Sequence, residues 1–119
     1  MSEKIVLGVV EEVTLHGSNG KKEKILARID TGAKYSSVDQ ALAADLQLGP
    51  ILRNKTVRQS HGRSLRAIVS VKAELCGKKL EGEFTISNRV HMKYKALIGR
   101  NLLEQGFIID PCKYEGSNN

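Results

Sequence analysis

The chain has 119 residues, 40% apolar and 27% charged, and this composition excludes wholesale disorder and indicates a single globular domain over residues 1–119. Nineteen Lys and Arg against thirteen Asp and Glu give a net charge of +6, which favours acidic partners. Aromatic residues make up only 4%, so few side chains could stack on single-stranded nucleic acid.

The cysteines and the lengths of the apolar runs indicate the cellular compartment of the protein. No apolar run reaches the roughly 20 residues of a membrane span. The run Ile5 to Val10 is also too short for the apolar region of a signal peptide. Cys76 and Cys112 form no CxxC pair, which favours a reducing compartment. We therefore expect a cytoplasmic protein without a membrane partner, in which residues 116–119 form a loose tail.

The first half of the chain is predicted to contain two strands and a helix. The strands cover Ile5 to Leu15 and Ile25 to Ile29, on either side of the turn sequence HGSNGKK. Ser37 is expected to cap a helix over VDQALAADL, with Gln40 completing a capping box. Gly49-Pro50 is expected to end that helix.

Alternation of apolar and polar residues dominates the second half. Every odd position from Leu65 to Leu75 is apolar, which predicts a half-buried strand. The alternation resumes after the turn CGKK, over residues 80–86, and predicts a hairpin. Further short elements are predicted as strands over Ala96–Ile98 and Phe107–Ile109 and as a helical turn over Arg100 to Gln105. The sequence therefore predicts a mainly β fold with one or two short helices.

One carboxylate follows an apolar strand directly, in the sequence ARIDTGA. Asp30 is followed by Thr31, whose hydroxyl can lock a turn, and by Gly32, which allows a sharp turn or the close approach of another chain. Ala33 keeps the surroundings small. Two interpretations fit these residues: Asp30 ends a strand and binds nearby backbone N–H groups, or the turn holds it at the floor of a crevice.

A second stretch, KALIGRNLLEQG from Lys95 to Gly106, has an apolar strand, a glycine and a helical turn. Together, LARIDTGA and ALIGRNLL resemble the paired signature of the retropepsin-like aspartic peptidases. The resemblance covers about residues 5 to 110. It is closest to a bacterial and archaeal branch that carries the label ATP-dependent zinc protease, in which the pattern over Phe84 to Leu103 recurs. The resemblance implies a small closed acid-protease barrel that is active as a homodimer.

The resemblance also implies a mechanism, in which a symmetric dimer supplies Asp30 twice and the two carboxylates share a proton. In that family the threonine equivalent to Thr31 bonds across the dimer, and the glycine equivalent to Gly32 lets the substrate backbone pass close by. A hairpin forms a flap over the cleft, and the candidate here is Val57 to Val69 with Gly62 near its tip. The family's dimer interface is commonly built from terminal strands, here Ile5 to Val10 and Phe107 to Ile109.

The chain departs from viral retropepsins at Lys34. Those proteins have an acidic residue there, which pairs with the arginine equivalent to Arg100. Arg100 is therefore expected to find another carboxylate or to face an anion in the cleft. With Lys34, Arg58, Arg66 and Arg100 near the cleft, we expect an acidic peptide or protein substrate. The branch is associated with trimming glutamate-rich tails, which fits this expectation.

Other classes of function are weaker or remain open. His16, His61 and His91 are isolated and no HExxH sequence is present, so neither a metal nor another cofactor is expected. A retropepsin-like module that dimerises or binds acidic peptides without cleaving them is the main alternative. A basic nucleic-acid-binding β domain is less favoured, and it would bind with a steep dependence on salt.

Overall fold

The computed structural model describes residues 3–113, so the tail predicted over 116–119 lies outside the described residues. Nine strands and two short helices follow one another along the described part of the chain. The strands are β1 Ile5–Leu7, β2 Val10–His16, β3 Lys22–Ile29, β4 Ser36–Asp39, β5 Arg53–Gln59, β6 Gly62–Leu75, β7 Lys78–Ser87, β8 Ala96–Ile98 and β9 Phe107–Ile109, and the helices are α1 Gln40–Asp45 and α2 Arg100–Leu103. The mainly β prediction is confirmed.

Six strands close into a small barrel. They lie in the order β2, β3, β8, β4, β7, β6, and a further pairing of β6 with β2 completes the ring. Two of these contacts are parallel, between β3 and β8 and between β4 and β7. Strand β5 pairs with the first half of β6 only, so the β5–β6 hairpin extends from the closed barrel.

The alternation of buried and exposed side chains along β6 holds in the half that belongs to the barrel and fails in the half that pairs with β5. Val69 to Leu75 bury every odd side chain in the core, as predicted. Leu65 is instead 71% exposed, because the hairpin half of the strand has left the barrel. Ile68 is fully buried but does not belong to the core cluster. The turn after Leu75 consists of Cys76 and Gly77, both with positive φ, so the predicted hairpin is confirmed.

The strand predicted over Ile5 to Leu15 is wrong as a single element, because the chain breaks between β1 and β2. The buried carboxylate of Glu11 lies at the break. It accepts a hydrogen bond from the Gly8 N–H at 2.6 Å and forms an ion pair with Lys113 at 2.9 Å. Strand β1 then pairs in parallel with β9 in a separate two-stranded sheet.

The predicted cap of the first helix is also wrong. Ser37 lies inside β4, and Asp39 is the N-cap residue, with its Oδ2 accepting from the Ala41 N–H at 3.1 Å. The helix ends at Asp45, earlier than the predicted end at Gly49-Pro50. Neither helix in the described part of the chain has the length and apolar character needed to cross a bilayer.

Candidate active site

Asp30 follows β3 directly and lies where two parallel barrel strands end together. Strands β3 and β8 pair with Ile29 opposite Ile98, and the Asp30 N–H continues the ladder by donating to the Ile98 carbonyl at 2.9 Å. The Asp30 side chain is half-buried. Because Ala27 and Ile29 point into the core, the alternation of the strand directs Asp30 away from it.

The turn after Asp30 is held by its own carboxylate. Oδ1 accepts from the Gly32 N–H at 2.9 Å, and the Ala33 N–H donates to the Asp30 carbonyl at 3.3 Å. Gly32 does not have a positive φ, so the sharp turn does not depend on glycine there. Among the described residues other than its two chain neighbours, a Cβ at Gly32 would meet only Asp30 Oδ1, at 3.2 Å, so the other side of the turn is open. The turn therefore combines two features: the Asp30 carboxylate binds a nearby backbone N–H group, and one side of the turn is open to an approaching chain.

Arg100 braces this turn, although it forms no ion pair with a carboxylate in the described part of the chain. Its Nη1 donates to the Thr31 carbonyl at 3.0 Å, and its backbone N–H donates to the Ala33 carbonyl at 2.8 Å. The Asn101 N–H binds the Lys34 carbonyl at 3.2 Å in the same way. The second predicted motif therefore packs on the first, and the structure brings Asp30, Thr31, Gly32, Ala33 and Arg100 together.

The Lys34 side chain belongs to a second cluster of cations, which surrounds the Tyr35 side chain. Its Nζ is 5.7 Å from the centre of the Tyr35 ring, and the Nζ of Lys55 is 4.9 Å from the same centre. Arg53 donates to the Tyr35 hydroxyl at 3.4 Å and forms an ion pair with Glu83 at 2.6 Å. The hydrogen bond from Arg53 lowers the pKa of Glu83. This cluster ties the base of the β5–β6 hairpin to the end of the Asp30 turn.

The flap candidate is a long hairpin, and it begins at Arg53 rather than at Val57. Gly62 begins the second strand at the tip. Arg58 lies opposite Arg63 near the tip and is exposed, whereas Arg66 lies opposite Lys55 closer to the barrel. The structure thus places these predicted substrate-binding residues along one hairpin.

The strand registers define a second face of the barrel wall, which we call the Asp30 face. Its central row runs across five strands, opposite the side that forms the core. The row consists of Arg28, Leu97, Ser37, Thr85 and Ile68. Asp30 lies two residues beyond Arg28 on this face. Ser37, Thr85 and Ile68 are buried without filling the barrel, so this end of the face is covered.

The sequence reasoning missed Arg89, which is buried against this face. Its backbone N–H donates to Asp39 Oδ1 at 2.7 Å, and its Nε donates to the Tyr94 carbonyl at 3.0 Å. Burial opposes ionisation of Asp39, but backbone hydrogen bonds from Arg89, Ala41 and Leu42 outweigh it and lower the pKa of Asp39. No sequence signal marks Arg89 as buried, because the burial depends on how residues 88–95 fold back.

Across residues 3–113, no three His, Cys, Asp or Glu side chains converge in a group that could hold a metal ion.

The barrel and the strand-end carboxylate together define a class of fold, that of the small acid proteases, and solved structures share it. The chain is similar to protein Lpg0085, of unknown function, from Legionella pneumophila subsp. pneumophila str. Philadelphia 1. The TM-score is 0.66 at 22% identity, covering 93% of this chain and 96% of that one. It is also similar to the protease of simian foamy virus (mac), with a TM-score of 0.57 at 19% identity, covering 78% and 89%. At these identities the likeness shows the fold.

The family is shown by a sequence model that matches residues 39–117 and is described as retropepsin-like aspartic endopeptidase RimB. The chain belongs to this RimB-like family. Its description does not include the zinc-protease label of the branch that the sequence resembles, and that label is not confirmed. The matched segment contains Arg89 and Arg100 and begins after Asp30 to Gly32. No curated protein matches the chain.

Proposed function

We propose that the protein is a homodimeric aspartic endopeptidase that hydrolyses peptide bonds in acidic, glutamate-rich polypeptides. The observation that carries this proposal is the position of Asp30. Its backbone is fixed by Ile98, its carboxylate is held by the Gly32 N–H, and the strand points it away from the core. A rigid, half-buried carboxylate at the rim of the barrel suits a group that meets a partner and a substrate there.

One chain provides one such carboxylate, and this chemistry uses two. A two-fold axis next to the turn would bring Asp30 of both subunits together. Two carboxylates a few ångström apart do not both ionise at neutral pH, so the pair would hold one proton. The ionised member accepts a proton from water while the water oxygen attacks the peptide carbonyl carbon. The protonated member donates to the carbonyl oxygen. Transfer of a proton to the amide nitrogen then allows the C–N bond to break.

The turn leaves space for both neighbours. Leaving out its chain neighbours Thr31 and Ala33, Asp30 Oδ1 is the one atom of residues 3–113 that would lie within 4 Å of a Cβ on Gly32, so a substrate backbone or the partner's turn can approach there. Thr31 is exposed, and its hydroxyl is available for the bond across the dimer. The hairpin that carries Gly62 at its tip extends from the barrel and is the proposed flap.

The sheet of β1 and β9 is the proposed contact between subunits. Each of these strands pairs only with the other within residues 3–113, which leaves their outer edges without strand partners. Val6 and Ile108 lie opposite each other and are 44% and 50% exposed, an apolar pair on the surface. Addition of strands from a second chain would satisfy the edges and bury these side chains.

Charge favours an acidic substrate. The chain carries a net charge of +6, and Arg58, Arg66, Arg100 and Lys34 all lie on the turn, the hairpin or the elements that pack against the turn. A cleft bordered by cations raises the local concentration of acidic polypeptide and strengthens its binding.

The replacement Asp30→Asn tests this function. We expect cleavage of α-linked poly-L-glutamate, followed by mass spectrometry, to fall at least about 10³-fold, because the dyad loses the group that accepts the proton from water. Asp45→Asn is the matched control, since Asp45 is an exposed carboxylate that pairs with Lys21 at 3.6 Å. This variant should keep wild-type activity, and sedimentation should find both variants dimeric.

Two outcomes would count against the enzyme. Unchanged cleavage by Asp30→Asn would remove Asp30 from the mechanism. If the wild-type dimer binds poly-L-glutamate without cutting it, the protein is instead an acidic-peptide-binding module on the same fold.

A further inference from the structure

The β5–β6 hairpin has two faces that differ in exposure. In an antiparallel pair, residues directly opposite each other share a face, and the faces alternate along each strand. One face is half-buried, and the Nζ of its Lys55 lies 4.9 Å from the centre of the Tyr35 ring, so this inner face is turned towards the barrel. The other, the outer face, is exposed. The inner face consists of Lys55, Val57, Ser64 and Arg66, and the outer face of Thr56, Arg58, Arg63 and Leu65.

Two arginines, Arg58 and Arg63, lie directly opposite each other on the outer face. Side chains in such positions begin about 5 Å apart, and like charges there repel each other and destabilise a hairpin. Neither arginine forms an ion pair within residues 3–113. The surrounding chain supplies no carboxylate, because residues 46–73 contain no Asp or Glu. The pair therefore presents two uncompensated guanidinium groups to an approaching anion.

The hairpin carries this pair away from the barrel. The hairpin leaves the barrel at Ile68, which pairs with Thr85 of β7, and Arg63 lies five residues from Ile68 on β6. At about 3.3 Å for each residue, the arginine pair is roughly 17 Å from the point where the hairpin leaves the barrel. When the hairpin closes over a peptide with its inner face, the outer face still points to solvent. The arginine pair is therefore accessible whether or not the cleft is occupied.

Charge and composition favour an acidic polypeptide as the ligand of the outer face. A guanidinium binds a carboxylate through two parallel N–H groups. Single-stranded nucleic acid also attracts cations, but it binds by stacking on aromatic rings, and residues 46–73 contain no Phe, Trp or Tyr. Leu65 lies two residues from Arg63 on the same face and is 71% exposed. This apolar side chain can contact the methylene groups of a glutamate, which a phosphate backbone lacks.

We propose that the outer face of the hairpin is a second binding surface for acidic polypeptide, at which Arg58 and Arg63 hold a segment of the substrate distant from the scissile bond. The inference rests on the proposed peptidase function and adds to it a preference for long acidic chains. A long chain that binds the cleft and the outer face together gains affinity, because binding at one place raises its effective concentration at the other. A short peptide occupies only one of the two places at a time.

Binding to the inactive Asp30→Asn protein tests the surface separately from catalysis. The probes are tetra-L-glutamate and an α-linked poly-L-glutamate of about 30 residues, both labelled with an uncharged fluorophore and amidated at the C-terminus. Fluorescence anisotropy at one fixed salt concentration gives the Kd. Added to this background, Arg58→Gln together with Arg63→Gln should weaken binding of the long chain at least about fivefold and binding of tetraglutamate less than about twofold.

Lys22→Gln together with Lys24→Gln is the matched control, since it removes two exposed cations from β3 and changes the net charge equally. It should weaken binding of the long chain less than about twofold. The arginine variant loses a repulsion, so its urea midpoint should not fall and the comparison is between folded proteins. Equal losses in the two double variants would reduce the effect to overall charge and overturn the surface. An equal loss for tetraglutamate and the long chain would place the arginines in the cleft and also overturn it.

Single-stranded and duplex RNA of similar total charge serve as the competing probes at the same salt concentration. We expect both to bind more weakly than the long glutamate chain. If either RNA binds more tightly and loses affinity in the arginine variant but not in the lysine variant, the outer face binds nucleic acid and the polypeptide assignment is wrong.

The binding result also separates this inference from the proposed function. Selective loss of the long chain in the arginine variant, with no cleavage by the wild type, would uphold the surface and reject the peptidase. Cleavage by the wild type, with equal losses in the two double variants, would uphold the peptidase and reject the surface.

Discussion

Two parallel strands of the barrel end side by side, and they end differently. β3 closes with Ala27-Arg28-Ile29 and β8 with Ala96-Leu97-Ile98, paired residue for residue. In both, the Ala and Ile fill the core while the middle residue lies on the Asp30 face. The next residue is Asp30 after β3 and Gly99 after β8. The same strand pattern thus positions a reactive group in one case and a packing surface in the other.

The second strand end is the support on which the first one rests. A Cβ on Gly99 would lie 2.3 Å from the Tyr35 carbonyl oxygen and 2.9 Å from that of Ala33. This close approach allows the N–H groups of Arg100 and Asn101 to bind the backbone after Asp30. The carboxylate is therefore held by backbone contacts from the neighbouring motif. We expect Gly99, which packs against that backbone, and Gly32, which lies in the turn itself, to respond differently to substitution.

Replacing each glycine by alanine gives the largest contrast. Gly99→Ala should destabilise the fold by at least about 3 kcal/mol, because the added methyl collides with backbone atoms that cannot move without breaking the Arg100 and Asn101 bonds. Gly32→Ala should cost less than about 1 kcal/mol, because the methyl meets only the Asp30 side chain, but it should impair cleavage. Urea unfolding and a peptidase assay measure the two effects. Equal loss of stability would contradict the division of roles.

The start of β8 offers a smaller effect that depends on pH. The Asp39 N–H binds the Lys95 carbonyl, and its carboxylate caps α1 and holds Arg89. Asp39→Ala should cost about 2 kcal/mol at neutral pH. Because the folded-state pKa of Asp39 is lowered, this contribution is present above the ordinary value of 3.8 and is lost as the pH falls below it. The difference in the free energy of unfolding between wild type and Asp39→Ala, measured with urea, should therefore become smaller at acid pH. A gap that does not depend on pH would contradict the ionic contribution.

Arg100 is predicted to have the smallest effect on stability. Within residues 3–113 its exposed side chain makes one hydrogen bond, to the Thr31 carbonyl, so Arg100→Met should change the free energy of unfolding by less than about 1 kcal/mol. We expect kcat to fall about tenfold with little change in KM, because the turn that orients Asp30 is looser. Steady-state kinetics on poly-L-glutamate measures this. A rise in KM at constant kcat would instead favour the direct substrate-binding role predicted from the sequence.

Much of the fold could be predicted because the strands that form the barrel alternate regularly and their ends carry recognisable motifs. The N-cap of α1 could not be predicted, because Ser37 and Asp39 are both good capping residues. Pairing with neighbouring strands places Ser37 inside β4 and leaves Asp39 as the cap. Arg28 was predictable in principle, because alternation places it on the same face as Asp30. Arg89 was not, because its burial depends on a loop whose path comes from long-range contacts with Asp39.

The central claim is that one carboxylate from each of two chains forms a single catalytic centre. Mixing wild-type and Asp30→Asn subunits in equal amounts, with exchange allowed to reach equilibrium, tests it directly. If both Asp30 residues are required, only the dimers with two wild-type subunits cleave, and about one quarter of the activity of undiluted wild type remains. Retention of about one half would mean that each chain works independently and would contradict the shared dyad.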